Sequence, residues 1–267
     1  MPTTAETPKC FAEVEGRRLL DWTLYSLGEN PARSLGPENI CFVGGYQIEK
    51  VQRDYPGFTF RNNDNWQNNN ILGSLFYAED VMQEGFLCAY SDILFTPSVV
   101  AGLIESTADI ALGVDTCWLE RYAERTEHPP DDAEKVTVEN GALTGISREI
   151  PEQDAHGEFI GVARFSPAGA ALLKEHYHRC QEQFSGQPWG AAALLLHHCD
   201  WPGRMNGPGT VHAFMIRSCA SRNRSRPTAG FIVKLWYSGP MPRTKPHTIR
   251  PPLMTSIMAS SSATRSG

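Results

Sequence analysis

Beyond Asp200 the sequence contains no acidic residue: residues 201–267 hold ten Lys or Arg and no Asp or Glu, whereas the preceding part carries fourteen basic against thirty acidic residues. Such a break is rarely found within one domain, so the expected organisation is a domain over residues 1–200 followed by a basic tail over 201–267. The tail scatters Pro202, Pro208, Pro227, Pro240, Pro242, Pro246, Pro251 and Pro252 among Arg and Ser without helical or alternating periodicity. It reads as irregular, either disordered or translated out of frame. The competing reading, a basic arm that binds nucleic acid by releasing counterions, is the less economical one. Long apolar runs are also missing, which excludes a membrane-spanning helix. The start, Met1 to Thr7, has neither a basic nor an apolar segment, so no secretory signal is expected. Seven cysteines (10, 41, 88, 117, 180, 199, 219) form no C-x-x-C pair. That argues against a zinc ribbon or dithiol redox site and for reduced thiols in a cytoplasm. No Walker loop, Gly-x-Ser-x-Gly elbow or dinucleotide fingerprint occurs.

What is present over the first 200 residues is an alternation of helices and strands. Leu19, Leu20, Thr23, Leu24 and Leu27 recur at helical spacing and Gly28 suits the stop. Asn39 to Val43, closed by Gly44-Gly45, reads as a buried strand. A helix over 46–55, a strand over 57–60, an Asn-rich loop over 62–69 and a helix carrying Ile71, Leu72, Leu75, Phe76 and Val81 follow. Phe86 to Tyr90 is a further buried strand ending in Ser91-Asp92, and 109–114 is another. This order predicts a Rossmann-like, mostly parallel α/β sheet with helices on both faces. Lys135–Glu139 and Ala142–Ile146 flank Asn140-Gly141, a pair suited to positive φ, and predict an antiparallel hairpin insertion. Residues 158–165 return as a strand. Ser166-Pro167 then supplies an N-cap and a first-turn proline for a helix through Leu172, Leu173, His176, Tyr177 and Cys180. His176, His178 and the run His197-His198-Cys199 read as helix surface rather than metal ligands.

Ligands of open α/β sheets gather at the carboxyl ends of the strands, where loops and helix N-termini converge. Asp92 lies just past such an end. Its carboxylate is placed to hold Mg²⁺ shared with substrate phosphates, although on this ground alone capping of the following turn is the simpler role.

Pro2, Thr4, Pro8 and Lys9 fall in the pattern Pro-x-Thr-x-x-x-Pro-Lys, and Val14-Glu15-Gly16-Arg17-Arg18-Leu19 resembles Val-x-Gly-x-Pro-(Leu/Ile), with Arg18 in place of proline. With Val43-Gly44-Gly45-Tyr46, the run Asn68 to Leu75 and Ser91-Asp92, these segments resemble the sugar-phosphate nucleotidyltransferase superfamily. Within it the chain is similar to bacterial phosphocholine cytidylyltransferases and their 2-aminoethylphosphonate relatives.

The resemblance implies an enzyme that transfers a nucleotidyl group from a nucleoside triphosphate, CTP foremost, to a small phosphorylated or phosphonate acceptor and releases pyrophosphate. It implies Mg²⁺ as cofactor, a cytoplasmic protein with no membrane or nucleic-acid partner, and a homodimer as one expected assembly. Lys9 would approach the phosphates and offset charge as pyrophosphate departs, against the alternative of an ordinary surface lysine. Asp92 would hold the metal. Asn68, Asn69 and Asn70 would cap the next helix and turn amides toward the ligand. Glu158 would contact the acceptor, with a solvated strand-edge acid as its equal alternative. Asp115, Trp118 and Tyr122 join Glu158 as groups that could meet an acceptor cation; Trp118 could equally be core. A sugar-1-phosphate nucleotidyltransferase and a non-catalytic pseudoenzyme are the competing functions.

Two departures accompany the resemblance. Family members carry a buried strand and a Gly-rich loop ahead of the segment that here starts at Pro2. Without that central strand two neighbours are expected to lack backbone partners, giving weak stability and little or no activity. The family's second metal-binding aspartate, expected after the region of Gly186 to His198, is also absent from the acid-free tail. If the tail is out of frame, translating the gene in the other two frames past codon 200 should reveal an acidic Glu/Asp-Ile-Asp motif; finding none in either frame would leave a natural basic tail.

Overall fold

A computed structural model describes residues 7–28, 36–123, 129–183, 211–216 and 230–234. The elements in chain order are β1 (Glu13–Val14), β2 (Arg17–Arg18), α1 (Leu19–Gly28), β3 (Ile40–Gly44), α2 (Ile48–Asp54), β4 (Thr59–Asn62), α3 (Ile71–Leu75), β5 (Phe86–Tyr90), α4 (Pro97–Glu105), β6 (Ile110–Asp115), α5 (Trp118–Tyr122), β7 (Lys135–Glu139), β8 (Ala142–Ser147), β9 (Gly157–Phe165), α6 (Pro167–Gln183), β10 (Val211–Ile216) and β11 (Gly230–Lys234). Short 3-10 turns join several of them.

All strands but β1 and β2 form one sheet in the order β4-β3-β11-β5-β9-β6-β10-β8-β7. β4, β3, β11 and β5 are mutually parallel, as are β6 and β10. β9 runs antiparallel between β5 and β6. The sheet is thus mostly parallel, as the alternation of apolar runs and helical segments implies. Every residue of β3 and of β6 is buried, the pattern of strands covered on both faces. One face packs Leu72, Leu75, Ala170 and Leu173 of α3 and α6 against Cys41, Cys88, Leu112 and Ala163. The other packs Leu20, Val51, Val100 and Leu103 of α1, α2 and α4 against Phe42, Leu87, Ala111 and Val162.

β9 turns a corner in the sheet. Its second half pairs with β5, while its first two residues pair with β7, and along its other edge it pairs with β6. The handover falls at Gly161, whose φ is +78°. An added Cβ there would lie 2.3 Å from the Tyr90 ring, so only glycine lets that ring cross the strand. Through β10 and β8 the five strands β9-β6-β10-β8-β7 close on themselves. The hairpin between β7 and β8 turns at Asn140 (φ 52°) and Gly141 (φ 82°), the geometry read from that dipeptide.

Ser166 caps α6 as the sequence implies: its Oγ accepts from the Gly169 N–H at 3.0 Å and donates to Asp109 Oδ1 at 2.8 Å. Several expectations are corrected. The helix expected through Val81 ends at Leu75 and continues as a 3-10 turn over Phe76–Val81, interrupted at Ala78 (φ −108°, ψ 19°). α4, with Pro97 in its first turn, and the five-residue α5 were not read from periodicity. His176, expected on the surface, is fully buried, whereas His178 is exposed and bonds Glu79 Oε1 at 2.8 Å. Cys10, Cys41, Cys88 and Cys117 are free thiols. Cys180 is disulfide-bonded, against the expectation of reduced thiols throughout.

The largest correction concerns residues 201–267. Two stretches of the expected irregular tail are strands of the main sheet, each a compact apolar run: Val211-His212-Ala213-Phe214-Met215-Ile216 pairs with β6, and Gly230-Phe231-Ile232-Val233-Lys234 lies between β3 and β5. The gap expected at the centre of the sheet is therefore filled, and the edges of β3 and β5 that were expected to lack partners are both paired. The tail's prolines and arginines masked these short runs because strands of five or six residues leave little periodic signal. The rest of the tail, His197 to Cys199 included, lies outside the described residues.

Phe86 is fully buried and stacks on Phe165 with ring centroids 4.6 Å apart across β5 and β9. Phe86→Ala is expected to cost about 3–5 kcal/mol in a urea titration; a loss under about 1 kcal/mol would mean that these two strands do not share a core.

Candidate functional site

The carboxyl ends of β3, β4, β5, β6 and β11 lie along one edge of the sheet, and antiparallel β9 brings its first residues to the same edge. This edge collects the residues singled out from the sequence. At β3, Gly44 O accepts from the Asn63 N–H at 2.7 Å, tying the strand to the end of β4. Gly45 follows with no room for a side chain, since a Cβ would meet Trp66 at 2.4 Å and Asn63 O at 2.5 Å. Tyr46 stands edge-on to Trp66 at 5.4 Å.

The asparagine loop divides its labour. Asn70 is the N-cap of α3, its Oδ1 accepting from the Gly73 N–H at 2.8 Å. Buried Asn63, not singled out beforehand, is the hub: it donates to Ser74 Oγ at 2.8 Å and accepts from the Asn65 N–H at 3.1 Å and from Asn69 Nδ2 at 3.5 Å. Asn68 is exposed and donates to Asn65 Oδ1 at 3.3 Å. Thus one of the three asparagines caps, one joins the buried hub and one faces solvent.

Lys9 lies within electrostatic reach of Asp92. Lys9 opens a 3-10 turn over Lys9–Phe11, held by Cys10 buried in the core beneath α1. Asp92 follows β5 by two residues. Burial pushes the Asp92 carboxyl above its ordinary range; the nearby Lys9 ammonium and a backbone hydrogen bond pull it back. Burial also pushes the Cys10 thiol far up, and the Asp92 charge adds to the effect. A lysine from the start of the chain and a carboxylate from the middle of the sheet thus share one electrostatic environment. Ser91, between Tyr90 and Asp92, is fully buried.

At the β6 and β9 end, Asp115 and Glu158 sit directly opposite each other, and Lys135 of β7 is opposite Glu158. Opposed residues share a face, here the face of Ile160 and Val162. Asp115 and Glu158 lie beside α5. Asp115 accepts from Arg121 Nε and from the Cys117 N–H (2.9 Å), and Tyr122 Oη donates to Glu158 Oε1 at 2.7 Å. Trp118 and Tyr122 are core residues, packed with Ala133. Lys135, missed from the sequence, is 1% exposed and donates to Pro130 O at 3.4 Å. On the other face of β9 a second group gathers: Tyr90 is edge-on to Phe159 at 6.2 Å, and Glu134 lies 3.9 Å from Arg148. Burial drives the Tyr90 hydroxyl well above its ordinary range, reinforced by Glu134, Cys88 and Asp92 and opposed by Arg148. Strand-end position is the signal that could have found Tyr90. Glu134 and Arg148 flank the hairpin and carried no such signal.

No family model matches the chain. Over 176 residues it is 26% identical to the CTP:phosphoglutamine cytidylyltransferase of Campylobacter jejuni subsp. jejuni serotype O:2, a match that spans 62% of this chain and 68% of that relative. Its fold is similar to that of the inositol-1-phosphate CTP transferase from T. maritima, with a TM-score of 0.56 at 23% identity over 79% of this chain and 78% of that one. A Bacillus anthracis structure assigned as a glucose-1-phosphate thymidylyltransferase gives a TM-score of 0.56 at 12% identity, covering 81% of this chain and 82% of the other. The architecture is therefore the nucleotidyltransferase fold. The sequence relative is itself a cytidylyltransferase, in keeping with an enzyme of the nucleotidyl-transferring kind. No helix of the described residues is long and apolar enough to cross a membrane.

The raised Asp92 carboxyl carries a stability signature. Its folded pKa lies above the unfolded value, so the folded state favours the protonated acid, and stability is lost as pH rises from the unfolded pKa through the folded one. At neutral pH the ionised group is a net cost. Asp92→Asn is therefore expected to melt higher than the natural chain at pH 7, with the difference shrinking as pH falls toward about 4. Lys9→Met should push the Asp92 titration further up, read by carboxyl NMR. A lower melting temperature for Asp92→Asn at pH 7 would refute the buried-charge account.

Proposed function

We propose that the chain transfers a nucleotidyl group, specifically cytidylyl from CTP, to a small acceptor bearing a phosphate or phosphonate, of the phosphocholine or aminoalkylphosphonate kind, with release of pyrophosphate. The observation that carries this reading is the electrostatic coupling of Lys9 to Asp92 at the carboxyl edge of the sheet. An ammonium within electrostatic reach of a carboxylate there would suit a polyphosphate: the lysine would offset charge that grows on the departing pyrophosphate. Support for CTP comes from the Campylobacter relative, whose substrate pair is CTP and phosphoglutamine.

Magnesium is the cofactor this chemistry asks for. Among the described residues no three His, Cys, Asp or Glu side chains gather into a metal cage. Mg²⁺ needs none, since it is commonly held by one or two carboxylates together with substrate phosphates and water. Asp92 is the carboxylate that would hold it. When bound, the ion would neutralise α-phosphate oxygens and orient them for in-line attack. Burial of Asp92 suits that duty, because a costly carboxylate gains most from a cation. The loop of Asn68, Asn69 and Asn70 would form the mouth of the site beside Gly44-Gly45 and would turn amides toward the nucleotide. Asp115 and Glu158 would anchor the acceptor's cationic end. The same Lys9 and Asp92 would serve a hexose-1-phosphate, the second reading, which the thymidylyltransferase-like fold keeps open.

Pyrophosphate release is measured with CTP, dTTP and UTP against phosphocholine, 2-aminoethylphosphonate, phosphoglutamine and glucose-1-phosphate in Mg²⁺. The expected result is turnover with CTP and one of the first three acceptors. Lys9→Ala and Asp92→Asn should each lower kcat/KM by about 10²–10³-fold. Turnover confined to glucose-1-phosphate would replace the first reading with the second, and unchanged rates in both variants would sink both.

A further inference from the structure

A turn of three residues carries Lys9. Lys9–Phe11 is closed by the Phe11 N–H to Pro8 O and the Ala12 N–H to Lys9 O, both at 2.9 Å. From there the chain enters the β1–β2 hairpin and returns at Leu19, whose N–H donates to Ala12 O at 2.9 Å. Two backbone bonds and a hairpin are a light support for an ammonium that must keep its place. Arg18, which ends the hairpin, adds to it. It stands where the Val-x-Gly-x-Pro pattern has proline, and it lays its guanidinium over the Phe11 ring, 3.8 Å from the centroid. At that distance the cation is drawn to the negative face of the ring.

The guanidinium is anchored a second time. Arg18 Nη1 donates to Asp54 Oδ2 at 2.8 Å, and Asp54 Oδ1 accepts from Arg53 Nε at 2.8 Å, so both carboxylate oxygens are engaged and the carboxylate is fixed in direction. Asp54 is the last residue of α2. A helix ends in partial negative charge, so a carboxylate there gains from cations beside it. Tyr55 comes next. Its ring tilts against Phe11 with centroids 6.2 Å apart and stacks on Phe58 at 5.3 Å, and its hydroxyl donates to Asp21 Oδ1 of α1 at 2.7 Å. Phe11 is thus held by Arg18 and Tyr55, and both are tied to the end of α2. The other end of that helix begins just past Gly44-Gly45. One short helix therefore connects the loop after β3 to the turn that carries Lys9.

We propose that Arg18 is a positioning residue for Lys9: through Phe11 and Asp54 it ties the Lys9 turn to α2, and so fixes the ammonium relative to the loop after β3 and to Asp92. This rests on the reading in which Lys9 acts on substrate phosphates. Arg18 acts through Lys9 and not on the substrate.

Arg18→Met and Asp54→Asn are compared with the natural full-length chain for pyrophosphate release. Each is expected to lower kcat by about 10- to 100-fold, the effect of a reacting group displaced by roughly an ångström, with KM for CTP changed by less than about twofold. In a Lys9→Ala background neither should lower the rate further, because residues that act as a unit are not additive. Losses that multiply with that of Lys9→Ala overturn the proposal. A readout without turnover is the acetylation rate of Lys9 by an N-hydroxysuccinimide ester, followed by peptide mass spectrometry. It should rise at least about threefold in both variants as the turn loosens, while Lys174 on α6 reacts as before. An unchanged Lys9 rate in Asp54→Asn overturns the proposal even if Arg18→Met does not fold. A natural chain that turns over no substrate sinks the functional reading and leaves the Lys9 rates to decide on the link.

Discussion

The arrangement rests on the hydrogen-bonding demand of two buried parallel strands. β3 and β5 lie one strand's width apart with their residues shielded from water, and neither can leave its inner edge bare. Whatever occupies the space between them sets their spacing. That spacing in turn sets where Gly44-Gly45 and Ser91-Asp92 stand, because both follow directly from those strands. Backbone pairing at the centre of the sheet and charge placement at its edge are therefore one constraint seen at two levels.

Much of the fold was legible because it is written in long or punctuated patterns. The Asn140-Gly141 turn, the Ser166-Pro167 helix start and the apolar runs at 40–44, 86–90 and 110–115 each carry a local physical cause that tertiary context does not override. What escaped, apart from the nine-residue α4, were short elements: α5 has five residues, and β10 and β11 have six and five. An apolar run of that length gains its meaning from what lies beside it. The run at 230–234 is unremarkable in a proline-rich tail and becomes a central strand only because β3 and β5 have a vacancy of its size.

The site was legible in the same uneven way. Lys9 and Asp92 were singled out by pattern and strand-end position; in the fold, burial raises the Asp92 carboxyl and the Lys9 charge lowers it. Asp115 and Glu158 are indeed neighbours, yet each gives an oxygen to α5, through Arg121 and Tyr122. Asn63, Lys135 and Glu134 escaped because their importance comes from burial and from long-range partners. Asn63 is one asparagine among several in its loop, and only the fold makes it the hub to Ser74 and Asn69. Lys135 lies in an alternating strand where a lysine is ordinarily taken to face solvent.

The tip of the β7–β8 hairpin lies outside all of these dependencies. Asn140 and Gly141 are exposed, an added Cβ at Gly141 would meet nothing, and the closed ring of five strands fixes the hairpin at its base. Foreign sequence grafted there would grow outward without disturbing either core. In descendants of this chain it is the natural place for new recognition loops to evolve, and for an engineer the natural place to attach an affinity tag or a reporter.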